Sequence, residues 1–557
     1  MGAAVPTAAG QSGRGRAAGW MLVVLALALG GSLVAAAVGA GRAIHGQEYW
    51  ASGYQRLIAD AVVERFDEWG AAAAGILLAV AGIAALVLRW RGRATGAPGA
   101  RTRRLARVVL AVVALVRGAI AIDAWRTADG PNLVLISIDT LRADRLGAYG
   151  YDLPTSPALD RRLAGEGVTF ENVLSQSPKT TPSHMTMLTS LYPCEHGIEL
   201  WPDARVPASV LSPRVHTLAE VLKNAGYATV AFTGGGHMHR SRGFNQGFDV
   251  FKHRFQLERA LAWLADRPHR KFFLFFHTYD VHDPYLHPME YVRRFAPDYR
   301  GRVLTALERL LAHPVEGPDR GAKFFWKSVD RNDPDDVRFV ERLYDAGIRR
   351  MDDTTLTPLL DQLDHLDLTR DTLVVFTSDH GEAFNEHGAF LHDDLYAGTL
   401  HVPLVLRFPG RLPAGARVGQ PARLLDVMPT ILQLLGVPIP PGVRGRSLVA
   451  LARGAPTGER EQAVVSEYNL DQRRFESLRR DRLTYIVDGE AERLFDDPTE
   501  RDDRAASRPA DLEAMRAELD RWRADCRSGA IVFGPKGDRV APDDETVRQL
   551  RALGYVR

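Results

Sequence analysis

The hydrophobic residues of the chain follow two patterns, one in its first 125 residues and another in the rest. Two uncharged apolar runs cover Trp20–Ala40 and Gly70–Leu88, and a third, interrupted by Arg117, covers about 106–123. Runs of roughly 20 apolar residues match the ~30 Å hydrocarbon core of a bilayer. A central arginine costs ~2.5–3.5 kcal/mol on insertion, which the flanking apolar residues can offset. The pattern predicts three transmembrane helices within residues 20–125.

The arginines between these runs predict an orientation. The stretch Arg89–Arg107 holds seven arginines and no acid, whereas residues 41–69 hold three arginines and five acids. The positive-inside rule places the arginine-rich loop, and a tail at residues 1–19, in the cytoplasm. With three spans, the large domain lies outside a multi-pass cell (inner) membrane protein surrounded by membrane lipids. With two spans it is cytoplasmic, and a signal peptide is the alternative for the first run.

Past residue 126, short apolar runs of strand length alternate with helical patterns. The runs are Asn132–Ile138, Lys271–Phe276, Thr372–Thr377 and Val402–Phe408. Unbroken runs of this kind are typical of strands buried on both faces, and Val215–Ala225 and Val340–Leu363 read as helices. We expect an α/β domain over residues 126–440, with a mostly parallel sheet sandwiched by helices. A small C-terminal subdomain (441–520) and a peripheral tail (521–557) would follow.

Composition removes several classes of protein. The 557 residues include two cysteines, Cys194 and Cys526, which excludes a disulfide scaffold, a zinc ribbon and an iron–sulfur site. A single disulfide between them is left open. Because 70 basic residues oppose 68 acidic ones, nothing indicates a nucleic-acid partner.

Acidic residues and histidines follow three of the predicted strands. Asp139 ends the first, His282 follows the second, and Asp379 with His380 ends the third. Ligands of open α/β sheets bind beyond the carboxyl ends of the strands. A single aspartate there is usually a turn or cap residue, but three strands together predict a site for one divalent metal ion. Carboxylate and imidazole ligands favour zinc or manganese, with calcium as a weaker candidate.

A candidate nucleophile lies in the segment Ser177–Met185. Thr181 suits an N-cap and Pro182 the first helical position, so Thr180 is expected at a helix N-terminus, where the helix dipole favours an anion. A hydroxyl held there by a divalent metal can act as a nucleophile. A plain capping role for Thr180 fits the local sequence equally well.

Several motifs, in this order, make the chain resemble the sulfatase family of the alkaline phosphatase superfamily. They are NLVLISIDTLRADRLGAYGY (Asn132–Tyr151), GFDVF (Gly247–Phe251), His282–Tyr285, FTSDHGEAFNEHG (Phe376–Gly388), Leu400–Gly410, Leu425–Pro438 and Glu492–Asp503. The resemblance implies an alkaline-phosphatase-like fold and an ester-cleaving enzyme. It also implies that Asp139, Asp379 and His380 are metal ligands.

The chain departs from true sulfatases at the nucleophile. Thr180 occupies the position of the cysteine that these enzymes convert to formylglycine, so no formylglycine can form here. His184 replaces the arginine of the same motif, and His380 stands where sulfatases usually have asparagine. Thr140 replaces a second ligand aspartate, and His392 falls near the family's substrate-binding lysine.

A threonine nucleophile behind N-terminal membrane spans is similar to phosphoethanolamine transferases and lipoteichoic-acid synthases, although those carry a glutamate where this chain has Asp139. The resemblance implies a membrane-anchored, metal-dependent hydrolase or phosphotransferase acting through Thr180. Phosphate esters are preferred over sulfate esters, and the substrate could be a lipid or an envelope glycan. The alternatives are a phosphoethanolamine- or phosphoglycerol-type transferase, a classical sulfuric ester hydrolase, and an inactive binding protein with the same fold.

The side-chain chemistry and sequence positions of several other residues suggest roles for them in the predicted active site. His282 and His392 could bind the oxygens of the transferred group, protonate the leaving group or hold a second metal. Lys179 and His184 are candidate substrate-binding residues, although Lys179 reads equally well as a solvated surface lysine. Three further histidines are expected to be structural, and the Gly234–Gly236 run reads as a tight loop rather than a phosphate-binding loop. These histidines are His277, His387 and His401.

Overall fold

The computed structural model describes the chain from residue 130 onward, with gaps. The described ranges are 130–198, 208–253, 256–267, 270–312, 318–455, 463–470, 473–532, 539–540 and 547. The three predicted transmembrane helices, the cytoplasmic tail and the arginine-rich loop lie outside these ranges. Among the residues that are described, no helix is both long enough and apolar enough to span a bilayer.

An eight-stranded sheet forms the centre of residues 126–557, which make one compact unit. Its strands are β1 (Asn132–Ile138), β2 (Val168–Phe170), β5 (Ala228–Thr233), β6 (Val250–His253), β7 (Phe272–Thr278), β8 (Thr372–Thr377), β11 (Leu404–Arg407) and β12 (Ala416–Val418). Their order in the sheet is β12-β2-β11-β8-β1-β7-β5-β6, and only β11 runs opposite to the others. The predicted mostly parallel sheet is therefore confirmed.

Successive residues of the central strands point to opposite faces and enter two separate hydrophobic cores. On β1, Leu133 and Leu135 belong to one core, and Val134 and Ile136 belong to the other. Both faces of the strand are thus buried, which explains why its sequence is apolar without alternation.

Helices cover both faces of the sheet, as the sequence predicted. The first core contains residues of α1 (Thr180–Thr189), α3 (Leu218–Asn224), α11 (Val427–Leu434) and α12 (Val449–Ala452). The second contains residues of α4 (Gln256–Ala265), α5 (Met289–Phe295), α6 (Arg302–Ala312), α7 (Pro318–Ser328), α8 (Pro334–Met351) and α9 (Thr357–His365). The domain around the central sheet also contains two short helices, α2 (Pro193–His196) and α10 (Ala397–Leu400).

A second, antiparallel sheet of four strands lies near the C-terminus, against the long helix α13 (Pro509–Val532). Its strands are β14 (Val464–Leu470), β15 (Arg473–Arg480), β16 (Leu483–Asp488) and β17 (Ala491–Phe495). Three two-residue pairs make up the remaining described strands: β3 (Val173–Leu174) with β13 (Ala422–Arg423), β9 (Ala383–Phe384) with β10 (Phe390–Leu391), and β4 (Ala208–Ser209) with β18 (Arg539–Val540).

A disulfide between Cys194 and Cys526 joins α13 to α2, which settles the pairing that the sequence left open. It also corrects the predicted boundary at residue 520. That position lies inside α13, and Cys526 is buried in the core that this helix shares with the antiparallel sheet. Residues 521–532 are therefore part of the fold rather than of a peripheral tail.

The boundary predicted at residue 440 is also misplaced. Residues of α12, including Val449 and Leu451, pack in the first core of the central sheet. The antiparallel sheet begins only at Val464. The proline-rich segment before residue 441 is thus a connection within the main domain.

The predicted helix Val340–Leu363 is interrupted. Between α8 and α9, Asp352–Leu356 form a π-helical turn. The Asp352 carboxylate accepts hydrogen bonds from the backbone N–H groups of Ala158 and Leu159, at 2.8 and 3.0 Å. The turn lets this carboxylate face another segment of the chain, a long-range contact that periodicity cannot reveal.

Candidate active site

Thr180 lies in the first turn of α1. The predicted N-cap, Thr181, is wrong by two positions, because the helix begins at Thr180 and Lys179 is the capping residue. The first helical bond runs from the Ser183 N–H to the Lys179 carbonyl. Pro182 fits in this turn because the first N–H groups of a helix need no intrahelical partner. The expected placement of Thr180 at a helix N-terminus is confirmed.

The register of the parallel strands brings two aspartates to one edge of the sheet. Ser137 on β1 pairs with Thr377 on β8, so Asp139 and Asp379 each lie two residues beyond the same pairing. Both side chains are completely buried. The turn after β1 holds them together, because Thr140, with φ of 59°, donates its backbone N–H to Asp379 Oδ1 at 3.3 Å.

Three acceptor atoms converge at this edge. His380 Nε2 lies 3.4 Å from Asp379 Oδ2 and 3.8 Å from Asp139 Oδ1. Neither carboxylate oxygen accepts a hydrogen bond from any residue that the structure describes. Buried acceptors without donors are costly, and atoms bound to one cation at about 2.0–2.2 Å can have these separations. The three predicted metal ligands therefore form a set suited to a divalent cation.

The orientation of His380 supports a ligand role. Its Nδ1 donates to the Gly381 carbonyl at 2.9 Å, which leaves the lone pair on Nε2 facing the two carboxylates. Burial lowers the pKa of His380 to about 4, so the ring is neutral near pH 7. A backbone carbonyl that fixes the tautomer in this way is typical of metal-ligating histidines.

His277 belongs to the site, although the sequence predicted a structural histidine. Its Nδ1 accepts the Gly234 N–H at 3.1 Å, so its Nε2–H donates to Asp139 Oδ2, also at 3.1 Å. Burial raises the pKa of Asp139, but the hydrogen bond from His277 and the nearby His380 outweigh it and hold that pKa below its usual range. Burial and the charge of Asp139 raise the pKa of Asp379 well above its usual range.

His184 lies one helical turn after Thr180 and contacts it. Its Nδ1 donates to the Thr180 carbonyl at 2.9 Å and lies 3.3 Å from Asp379 Oδ2, and its Nε2 accepts the Ser137 hydroxyl at 2.9 Å. Burial lowers the pKa of His184 to about 3. With both ring nitrogens engaged by protein groups, His184 holds the first turn of α1 next to Asp379, and its role in substrate binding stays a prediction.

A second set of three groups, Asp139, His184 and His277, also lies close enough to hold a metal ion. In the tautomers just described, however, His277 Nε2 carries a proton and both nitrogens of His184 are hydrogen-bonded. The set of Asp139, Asp379 and His380 offers free lone pairs and fits a cation better.

The predicted His282, His392 and Lys179 form the rim of the site. The ring of His392 lies 4.5 Å from that of His380 and 5.8 Å from that of His282. Lys179 is 3% exposed, lies 3.5 Å from His392 Nδ1 and forms an ion pair with Asp393. The alternative of a solvated surface lysine is therefore wrong.

His282 is held by the residue that follows it. Its Nδ1 lies 2.7 Å from the Asp283 carbonyl and 3.2 Å from Asp283 Oδ1, and the Trp326 indole N–H donates to Asp283 Oδ2 at 3.1 Å. These contacts hold the ring of His282 in place beside that of His392.

The sequence did not single out His237, which is completely buried next to α1. Its carbonyl accepts the Thr181 hydroxyl at 3.3 Å, and burial lowers the pKa of its ring well below the usual range. The sequence feature that could have indicated His237 is its position directly after the Gly234–Gly236 loop. His387 and His401 lie apart from the cluster, as expected: His387 stacks on Tyr396 and His401 bonds to the Glu171 carbonyl.

The fold and site define an α/β enzyme with a hydroxyl at a helix N-terminus beside a carboxylate–imidazole cluster. The family model for sulfatases matches residues 131–259 and 254–437, more than half of the chain. The chain belongs to the sulfatase family and is a sulfatase-like ester hydrolase.

Similarity to individual proteins agrees with this assignment. Arylsulfatase K of Mus musculus is 26% identical over 385 residues, which cover 61% of this chain and 68% of that protein. A protein solved with its substrate D-glucosamine-2-N,6-O-disulfate has a TM-score of 0.59 at 19% identity, covering 72% of this chain and 99% of the other. The phosphonate monoester hydrolase of Agrobacterium radiobacter has a TM-score of 0.56 at 23% identity, covering 72% and 96%.

Proposed function

We propose that this chain is a membrane-anchored, metal-dependent enzyme that cleaves or transfers phosphate esters through Thr180. The observation that carries the proposal is the convergence of Asp139 Oδ1, Asp379 Oδ2 and His380 Nε2 beside the Thr180 hydroxyl. Thr180 Oγ1 lies 3.4 Å from His380 Nε2, so one cation could reach both. Zinc and manganese suit the mixed carboxylate and imidazole set better than calcium does.

A divalent cation held by Asp139, Asp379 and His380 would lower the pKa of the Thr180 hydroxyl and polarise the ester. The side chains around it define the remaining chemistry. Thr180 Oγ attacks phosphorus, and its oxygen lies at the N-terminus of α1, where the helix dipole stabilises negative charge. His184 holds the first turn of the helix in place through the Thr180 carbonyl.

A histidine at the rim of the site can supply a proton to the leaving group. Attack by Thr180 forms the Thr–phosphorus bond and breaks the bond to the substrate alcohol. His282 could take the proton that the Thr180 hydroxyl loses and pass it to the oxygen of the departing alcohol. Lys179 and His392 lie on the same side and can bind the equatorial oxygens. Water or an acceptor alcohol then attacks the phosphothreonine, which frees Thr180 and gives hydrolysis or transfer.

One feature supports phosphate over sulfate: Thr180 replaces the cysteine that sulfatases need for formylglycine. Relatives such as arylsulfatase K keep a sulfate ester as the second candidate substrate.

The proposed location is the outer side of a cell membrane. The apolar runs and the arginine-rich loop of the N-terminal region support it. The disulfide between Cys194 and Cys526 is independent support, because such bonds persist in oxidising compartments outside the cytoplasm.

The test combines metal analysis with turnover of 4-nitrophenyl phosphate and 4-nitrophenyl sulfate by the full-length protein. Thr180→Ala should lose at least 1,000-fold in kcat, on the order of the cost of removing a covalent nucleophile. Thr189→Ala is the matched control, since its hydroxyl bonds to the Met185 carbonyl at the far end of the same helix. It should retain activity within about threefold.

Two outcomes would contradict the proposal. Unchanged turnover in Thr180→Ala would refute the nucleophile, and unchanged metal content in Asp379→Ala would refute the ligand set. Turnover of the sulfate ester alone would replace the substrate assignment, and absence of turnover with either ester would favour a binding protein that keeps the fold.

A further inference from the structure

Trp326, on helix α7, contacts both of the segments that carry the rim histidines. Its indole N–H donates to Asp283 Oδ2 at 3.1 Å, and Asp283 directly follows His282. Its ring lies 5.2 Å from that of Phe390, which comes two residues before His392. One side chain that does not belong to the metal-ligand cluster thus contacts the neighbours of both rim histidines.

Aromatic packing fixes the position of this indole. Phe325 is completely buried, and the rings of Phe325 and Trp326 lie 6.3 and 6.2 Å from that of Tyr285. Just after the helix, Arg331 donates to the Gly388 carbonyl at 3.2 Å. The helix is therefore held against the rim by contacts that do not depend on the indole N–H. Loss of this N–H alone would leave the packing in place.

The two oxygens of the Asp283 carboxylate face different partners. Oδ2 accepts the indole N–H of Trp326, and Oδ1 lies 3.2 Å from His282 Nδ1. Burial raises the pKa of the Asp283 carboxyl group, whereas His282 and the Trp326 N–H favour its charged form. Each of these two neighbours therefore helps to keep a negative charge beside the imidazole.

A carboxylate in this position matters for a histidine that carries a proton. An imidazole that takes up a proton during a reaction becomes positively charged. A carboxylate beside its other nitrogen holds the ring in one tautomer and stabilises that charge. A group that holds the carboxylate should therefore affect proton transfer without touching the substrate or the metal ligands.

We infer that Trp326 is a positioning residue, which acts through Asp283 on His282 and determines how well a poor leaving group is protonated. The inference rests on the proposed function, in which His282 passes a proton to the departing alcohol. It extends that function to a helix outside the metal-ligand cluster. Phenolate and alkoxide are stronger bases than 4-nitrophenolate, so esters of phenol and of aliphatic alcohols gain more from this proton.

The experiment compares phenyl phosphate with 4-nitrophenyl phosphate as substrates of the full-length protein. Trp326→Phe keeps an aromatic ring but lacks the N–H. Its kcat/KM for phenyl phosphate should fall about tenfold more than its kcat/KM for 4-nitrophenyl phosphate, a part of the roughly 10²–10⁴-fold that general acid–base catalysis contributes. Trp263→Phe is the matched control, since this indole packs on Phe272 in α4, and it should keep the wild-type ratio.

A double-mutant cycle tests whether the effect passes through Asp283. Asp283→Asn keeps the shape of the side chain but removes its charge, and it should lower the same ratio. Adding Trp326→Phe to Asp283→Asn should then lower the ratio no further, because both changes interrupt one chain of contacts. Two losses that simply add would show that Trp326 does not act through Asp283.

The remaining outcomes separate this inference from the proposed function. An unchanged ratio in Trp326→Phe, or equal losses with both esters, would overturn the inference while the proposed function stood. If the wild type cleaves only sulfate esters, phenyl sulfate and 4-nitrophenyl sulfate give the same ratio and the same test. A wild type that cleaves neither kind of ester would refute the proposed function and the inference together.

Discussion

Thr180 Oγ1 and His380 Nε2 lie 3.4 Å apart although 200 positions separate the two residues. One comes from the first turn of a helix and the other from the end of strand β8. One cation could therefore contact both side chains, which makes the identity of residue 380 a test of the proposed metal site.

Replacing His380 with asparagine, the usual residue of sulfatases at this position, should change the metal preference. An amide oxygen is a harder ligand than imidazole, so affinity for zinc should fall about tenfold or more relative to affinity for calcium. Equilibrium dialysis with both metals measures this ratio. His387→Asn, outside the cluster, should not alter it, and an unchanged ratio in His380→Asn would show that His380 is not a ligand.

His277 should govern metal affinity without binding the metal itself. Its Nε2–H donates to Asp139 Oδ2 and so directs Oδ1 toward the cluster. Loss of such a supporting partner typically costs about 10–100-fold in metal affinity. His277→Ala should lose affinity within this range, and His277→Gln, which keeps an N–H donor, should recover part of it. Equal losses in the two variants would indicate that His277 acts through packing alone.

The stability of the protein should decrease on acidification. Burial lowers the pKa of His287 to about 3, whereas an unfolded histidine titrates near 6.5. Between these pH values the unfolded chain binds a proton that the folded protein does not bind at His287. The contribution of His287 to stability is therefore complete above about pH 6.5 and is lost as the pH falls toward 3. At pH 5 this residue alone should cost roughly 2 kcal/mol.

Urea unfolding at pH 7 and pH 5 measures this effect. His287→Gln should flatten the pH dependence by about that amount, whereas His365→Gln, at an exposed site on α9, should leave it unchanged. An identical pH dependence in wild type and His287→Gln would show that the buried imidazole is not responsible.

The topology prediction can be checked with reporters. A C-terminal alkaline phosphatase fusion should be active and a fluorescent reporter that folds only in the cytoplasm should be dark, since three spans place the C-terminus outside. Thiol labelling of the native protein should find Cys194 and Cys526 blocked until a reductant is added. A cytoplasmic reporter signal together with free thiols would contradict both the third span and the proposed location.

The sequence predicted those site residues that directly follow a buried strand and have side chains typical of metal ligands. The apolar run of β1 ends at Asp139 and that of β8 ends at Asp379, and the parallel register then brings these residues together. The pattern could not show that His277, inside an apolar strand, turns its ring toward Asp139. That contact depends on the pairing of β1 with β7, which strand periodicity alone does not specify.

Other differences between the sequence predictions and the structure also arise from tertiary contacts. The helix α1 begins two residues earlier than its capping signals indicate, because the Lys179 carbonyl accepts the first helical bond. Helix α13 extends past the predicted boundary because Cys526 is anchored to Cys194. For Lys179 the sequence left a substrate-binding residue and a solvated surface lysine as equal alternatives, and the structure covers it with Asp393 and the ring of Tyr468 at 5.4 Å.

A cavity of about 260 Å³ lies between the N-terminal end of α1 and the β14–β15 hairpin, whereas the metal-ligand set comes from the ends of β1 and β8. Different stretches of the chain thus form the two places. Substitutions within residues 464–480 can therefore change the cavity wall while the metal-ligand set stays the same.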